Sequence, residues 1–335
     1  MNILHVTSTD PAGSVINLVD AINHHTKHRA RLITTARINT YNFRPDISDI
    51  FDCGDEIEAL LKQADVIHLH KVDEEFEIKV PLPKNGLTRT FKMKDYMTKS
   101  NKIIYHVHGH PYERERTSEC AENYKMRGGK VLASTPDLEE MFGAYYENVS
   151  YFPNCVPIND VRYLPRATDE MVLIANGERK LIVGQTPTNS VLKDVRIIQD
   201  VISRLGKTYP VIYLKVMQVE QDTALRHKRN MHVVFDHMQG YYGLSSLEGL
   251  SMGKPTIAGL SDYCVKAISD FFCVEGSSLP WLRVLTSEEL ETTLVSFLTD
   301  EARRLELGRQ SRKFMEAVWS DKAIGRRLAG VYESL

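Results

Sequence analysis

Short apolar runs recur along this chain at spacings too long for tight hairpins, and the stretches between several of them carry helical patterns. The first run is 2–6 (NILHV). Turn residues follow at 8–13 (STDPAG), and then 14–25, where Val15, Leu18, Val19 and Ile22 fall at helical spacing. Further runs lie at 31–35, 64–70 (ADVIHLH), 102–108 (KIIYHVH), 130–134 (KVLAS) and 149–152 (VSYF). Apolar strands alternating with helices predict a mostly parallel sheet covered on both faces. The rhythm pauses at about 159–171 and resumes with runs at 180–184, 211–216, 233–236 and 256–259, with a helix expected over 191–205. The expectation is an α/β chain of two doubly wound units in tandem, with a boundary near Pro165 and helices over 287–298, 301–318 and 322–335. Two such units facing each other leave a cleft at the carboxyl ends of their strands, where loops and helix starts converge on a ligand.

Composition narrows the partners and the compartment. The 335 residues suit two domains. A net charge of −2 supplies no global field toward nucleic acid or anionic lipid, so a polyanion would have to meet a local patch. Cys53, Cys120, Cys155, Cys264 and Cys273 are odd in number and contain no C-x-x-C, which argues against a disulfide framework or zinc ribbon and fits a reducing compartment. The N-terminus has no signal-peptide pattern, and no apolar run approaches the ~18 residues of a membrane span. The expected location is the cytoplasm.

The densest cluster of chemistry is QGYYGLSSLEGLSMGKP, from Gln239 to Pro255. Asp236 ends a strand, Gly240 and Gly243 bracket a turn, and a helix is expected from Ser245 and Ser246 to Met252. The free amides of a helix start attract phosphate, and glycine lets backbone approach it closely. Glu248, one turn in, is placed to reach ribose hydroxyls beside that phosphate. Ser245-x-x-Glu248 also has the spacing of a capping box, in which the glutamate bonds back to its own helix start.

GYYGLSSLEGLSMGKPTIA resembles the C-terminal-domain signature of GT-B glycosyltransferases, in the large group related to glycogen synthase and sucrose synthase; Gly243, Glu248, Gly253 and Pro255 carry the match. MNILHVTS with its glycine loop, ADVIHLH, IIYHVHGHP, VLASTPDLEEMF with VSYFPNCVP, and LIVGQTPTNSVLKD fit the group's other segments in order. The resemblance implies the GT-B architecture: two Rossmann-like domains facing across a cleft. It implies an acceptor-side domain over 1–163, a nucleotide-sugar domain over 164–312 and a helix over 313–335 that crosses back to the first. It implies transfer of a sugar from a nucleotide-diphosphate sugar, foremost a UDP-sugar, to an acceptor hydroxyl, with retention of configuration. That sugar nucleotide is a co-substrate; no other cofactor and no metal are expected.

By the same resemblance Glu248 holds the donor ribose, Lys193 contacts the diphosphate, and Gly243, Leu244, Ser245 and Ser246 line the phosphate site. His108, before Gly109, supplies a proton or hydrogen bond to the departing diphosphate, and Gly13 lets the first loop approach donor or acceptor. The group departs from this chain twice. Thr188 and Asn189 stand where an arginine is frequent, and Gly240 stands where a first glutamate, separated from the second by seven residues, is usual. His106, His108 and His110 alternate as metal ligands on a strand do, but His106 and His110 are expected to be structural.

Between 79 and 102 the chain holds seven basic residues, Lys79, Lys84, Arg89, Lys92, Lys94, Lys99 and Lys102, with Phe91 and Tyr96 interleaved and one acid, Asp95. Such a stretch suits a phosphate-bearing acceptor: a lipid phosphate, a polyol phosphate or a modified DNA. It also suits a solvated surface loop, all the more with acids over 73–77 just before it. Two other functions remain: a glycosyltransferase acting on hydroxymethylated DNA, favoured by the basic stretch, and a non-catalytic subunit of the same fold, favoured by Gly240.

Overall fold

The computed structural model describes residues 1–335 apart from 11, 37–45, 48–52, 73–74, 82–86, 98–101, 167–171, 174–176 and 188–192. Thr188, Asn189, Lys84 and Lys99 therefore lie outside the described residues. The chain forms two units, Met1–Cys155 with Asp321–Leu335, and Val156–Ser320.

In the first unit the strands are β1 (Asn2–Thr7), β2 (Arg29–Thr34), β3 (Val66–His70), β4 (Glu77–Pro81), β5 (Thr88–Lys92), β6 (Lys102–Val107), β7 (Lys130–Ala133) and β8 (Val149–Tyr151). Its helices are α1 (Ser14–His25), α2 (Gly54–Gln63), α3 (Met93–Tyr96), α4 (Pro111–Glu115), α5 (Thr117–Met126) and α6 (Pro136–Gly143). Six strands form a parallel sheet in the order β2-β1-β3-β6-β7-β8. Side chains alternate across its plane. On one face Leu4, Val6, Ile67, Leu69, Tyr105 and Val107 join an aliphatic and aromatic core with Ile57, Leu61, Leu138 and Phe142 of α2 and α6. The residues between them, His5, His68, His70 and His106, are all buried on the other face.

The second unit contains β9 (Val172–Leu173), β10 (Arg179–Gln185), β11 (Val211–Lys215), β12 (Val233–Phe235), β13 (Thr256–Ala258) and β14 (Trp281–Arg283). Its helices are α7 (Val195–Leu205), α8 (Gln221–Arg229), α9 (Leu244–Ser251), α10 (Asp262–Phe272), α11 (Ser287–Leu298) and α12 (Glu301–Val318). The parallel order is β11-β10-β12-β13-β14, with β9 antiparallel to the start of β10. The last helix, α13 (Asp321–Glu333), returns to the first unit, where it packs on α1.

The stretch read as a basic loop is instead an antiparallel hairpin, β4–β5, followed by the one-turn α3. Ile78, Val80 and Phe91 are its buried face. Among the described residues no helix is long and apolar enough to cross a membrane, and all five cysteines are free.

Candidate active site

In the second unit the chemistry gathers where β10 and β12 end and α9 begins. Asp236 follows β12 and is buried. Its carboxylate accepts from the Lys193 ammonium at 2.7 Å, the Gly243 amide at 2.5 Å and the Ser246 hydroxyl at 2.7 Å. Burial pushes this carboxyl up, but the Lys193 charge, the His237 ring beside it and the bonds from Lys193 and Gly243 outweigh burial and hold it well below the carboxylate range. Asp236 thus fixes both the lysine and the turn. Gln185, at the end of β10, donates to the Lys193 carbonyl at 2.5 Å and the Asp236 carbonyl at 2.6 Å, and accepts from the Tyr213 hydroxyl at 2.8 Å. Sequence reasoning missed Gln185 as a positioning group; its signal was a long polar side chain ending an apolar strand.

Gly243 is the N-cap of α9, and no side chain caps the helix. A Cβ built there would lie 2.7 Å from Lys193 Nζ, so the absence of a side chain leaves room for the ammonium. A cation beside a helix start opposes the macrodipole, and Asp236 offsets it. Leu244 and Ser245 open the helix, where their amides have no preceding turn to bond. Ser245 Oγ lies 3.3 Å from Thr186 Oγ1. Gly243→Ala has no backbone strain to bear at φ −105, yet it would push the ammonium aside.

Glu248 does not close a capping box on Ser245. It is buried and forms an ion pair with Lys228 of α8, which is fully buried. Nothing in the sequence reading marked Lys228. Its signal is its place three residues after Leu225, on the apolar side of an otherwise basic helix. Gly240, at the position of the missing acid, has φ 90, a left-handed conformation that glycine adopts and other residues resist. Its carbonyl accepts from the Ser261 amide at 2.8 Å.

In the first unit His108 joins a cluster that the sequence reading did not assemble. The parallel register sets His5 beside His68 and His70 beside His106. His108 Nε2 lies 2.9 Å from His70 Nδ1, and His70 Nε2 lies 2.9 Å from His5 Nδ1. Tyr332 of α13 completes the run, its hydroxyl 3.1 Å from His5 Nε2 and 2.8 Å from His68 Nδ1. Burial and neighbouring imidazoles hold His68 and His70 well below the ordinary histidine value. Burial, then His106, pushes His5 down to about 3. Burial takes His106 to about 3 as well, with the Phe152 main chain opposing and Lys71 adding to the shift. His108 is lowered by burial, His106 and Lys71. His110 stands apart: it caps α4, accepting from the Tyr112 amide, while Glu113 accepts from the amides of His108 and His110. Among the described residues, the side chains placed to hold a metal ion are two triads, His5–His68–His70 and His70–His106–His108, each with ligand nitrogens within 4.8 Å of one another.

Gly13 is the N-cap of α1 at φ 66. The helix start it opens is already occupied by the protein's own carboxylate, since Asp10 accepts from the amides of Val15 and Ile16 at 3.1 and 2.9 Å. In the hairpin Lys79 pairs with Glu77, Lys94 with Glu75, and Arg89 with Asp55 and Glu58. Phe91 lies in the core, so three of the stretch's cations and one of its aromatics serve the fold. A cavity of about 250 Å³ opens in the same unit, lined among others by Lys71, Glu113, Phe76, Tyr112 and Tyr124.

No protein-family model matches the chain, nor does any curated protein sequence. Solved structures do match. HepE of Anabaena, in complex with UDP and glucose, is 13% identical, with 100% of both chains covered and a TM-score of 0.63. An alpha-glucosyltransferase in complex with UDP and a 13-mer DNA containing a HMU base is 10% identical, with 99% of each chain covered and a TM-score of 0.63. An O-GlcNAc transferase of Thermobaculum terrenum is 13% identical, with 100% of this chain and 67% of that chain covered and a TM-score of 0.57. Identities this low leave the course of the backbone as the shared property, and that course is the GT-B fold.

Proposed function

We propose that the protein is a glycosyltransferase that moves a sugar from a nucleotide-diphosphate sugar, foremost a UDP-sugar, to an acceptor hydroxyl. One observation carries this reading: Lys193 Nζ, held by Asp236 in the space left by Gly243, stands at the start of α9 with Glu248 one turn further on. A cation and a helix start together suit a diphosphate, and the carboxylate suits ribose hydroxyls. In the reaction the bond between the anomeric carbon and the diphosphate oxygen breaks. The acceptor oxygen forms the new bond and passes its proton to the departing diphosphate oxygen. Lys193 and the α9 dipole stabilise the charge that grows on the diphosphate. His108 hydrogen-bonds the departing group, and no metal is required for these steps. Retention follows the group's usual chemistry, without a carboxylate at Gly240.

The first unit takes the acceptor in this reading. The cavity beside Lys71 offers aromatic faces for an apolar or sugar ring and one cation for a phosphate. A second reading, modified DNA as acceptor, is favoured by the likeness to the alpha-glucosyltransferase solved with DNA.

The test is a panel of UDP-, GDP-, ADP- and dTDP-sugars, with free nucleoside diphosphate as the readout and nucleotide-induced thermal shifts alongside. One donor should be hydrolysed or should shift the melting temperature. Lys193→Ala and Glu248→Ala should each weaken it about 10- to 100-fold. Absence of both turnover and thermal shift with every nucleotide would refute the donor site and leave a non-catalytic subunit. Salt-sensitive retention on DNA carrying hydroxymethylated bases separates the two acceptor readings.

A further inference from the structure

The run of hydrogen bonds through the histidine cluster permits only two proton arrangements. It passes from His108 to His70, His5, Tyr332 and His68, and each link joins two ring nitrogens or a nitrogen and the phenol oxygen. The four imidazoles are neutral in this dry setting, so each carries one N–H, and the phenol carries one O–H. A link needs one proton and no more. Once one ring is set, every other follows: all four histidines hold their proton on Nδ1, or all four hold it on Nε2.

The far end decides between them. His68 Nε2 is buried and, among the described residues, has no hydrogen-bond partner. The Nε2–H arrangement would leave a buried donor there with nothing to donate to, which native structures rarely tolerate. In the Nδ1–H arrangement His68 donates to the Tyr332 oxygen, Tyr332 donates to His5 Nε2, His5 Nδ1–H donates to His70 Nε2, and His70 Nδ1–H donates to His108 Nε2. The same dead end prevents the run from conducting: a proton leaving at His108 has no replacement entering at His68. The run therefore holds protons in place and does not relay them.

We infer that His5, His68, His70 and Tyr332 are positioning residues that lock His108 as its Nδ1–H tautomer, so that this residue meets a ligand as a hydrogen-bond donor. The functional part of this inference rests on the proposed contact of His108 with the sugar nucleotide; the lock itself does not. A donor at Nδ1 suits the oxygens of a sugar or a diphosphate, both of which accept. The lock also decides between hydrogen bonding and metal binding at the two triads. His70 already uses both nitrogens inside the run. His68 with His70, and His106 with His108, are stacked at centroid distances of 4.2 and 4.4 Å, which sends their in-plane lone pairs along parallel lines instead of toward one ion. Lys71, whose charge depresses His106 and His108, further disfavours a second cation.

The experiment is two-bond proton–nitrogen correlation spectroscopy on the full chain labelled with nitrogen-15 histidine, at pH 7.5. Protonated and bare ring nitrogens resonate far apart, so each tautomer is read directly and without reference to turnover. His5, His68, His70 and His108 should all appear as Nδ1–H. Tyr332→Phe, checked for folding by its melting curve, should abolish that uniform pattern and give His108 a mixture of tautomers. His108 as Nε2–H in the wild type, a mixed pattern along the run, or a His108 signal unchanged by Tyr332→Phe would overturn the lock. So would stoichiometric Zn2+ retained through dialysis and lost in His70→Ala. If the lock is seen and no donor binds, the lock stands and the transferase reading falls.

Discussion

Acidification from pH 7 to about pH 5.5 should cost the first unit on the order of 5 kcal/mol of folding stability. His5, His68, His70 and His106 are buried, with values pushed well below the ordinary histidine pKa. The unfolded chain, with its imidazoles near pKa ~6.5, binds protons that the folded chain refuses. Where the unfolded state binds more protons, stability falls as pH falls. This contribution is therefore complete above pH ~6.5 and is lost through the interval down to about 3, where His5 and His106 titrate in the folded state. At pH 5.5 each imidazole accounts for roughly 1.3 kcal/mol, and four together rival the 5–15 kcal/mol that holds a typical domain. Asp10 and Glu113, whose carboxyls burial pushes up, act in the opposite sense over the upper carboxylate range and soften the fall. Urea unfolding at pH 7.5, 6.5 and 5.5 measures the slope. A flat profile would mean that the rings are solvated or already charged.

Lys228→Ala should be the most damaging single substitution in the second unit, at about 3–5 kcal/mol, because it strands the Glu248 carboxylate in a buried site without its counter-charge. The pair itself contributes far less than that figure. Replacing both partners with apolar residues of similar volume, as in Lys228→Met with Glu248→Leu, should recover most of the loss while leaving the proposed donor site without its acid. A double-mutant cycle in chemical denaturation separates the two effects, and nucleotide binding by the same variants reads the second. If Lys228→Ala is as stable as wild type, Glu248 is not held by this lysine, and its carboxylate already faces water.

Most of the scaffold could be read from periodicity, since the strands are short apolar runs and the helices carry apolar residues at their own spacing. Ser14–His25 and Ser287–Leu298 lie at the expected bounds. The hairpin was misread because its charges were counted before its alternation: Ile78 and Val80 face the core while Lys79 between them faces out. Lys193, Gly243 and Glu248 stand out by motif because their signals are local in the chain. The partners that hold them, Asp236, Gln185 and Lys228, come together only through the parallel register and the packing of α8, which no spacing along the chain encodes. The histidine cluster was hidden for the same reason: its rings come from β1, β3 and β6, and its phenol from the last helix.

The left-handed turn at Gly240 limits what a single codon change can do here. A glutamate introduced at this position would arrive on a backbone that disfavours any side chain, by about 1–2 kcal/mol. It would be poorly fixed unless the turn and its link to Ser261 were rebuilt with it. The absent carboxylate is thus a property of the loop's shape as much as of its lettering. Laboratory selection for an acid at this corner would have to find several coordinated replacements across 236–261, and a site-saturation library at 240 alone should return glycine, with asparagine as the next tolerated residue.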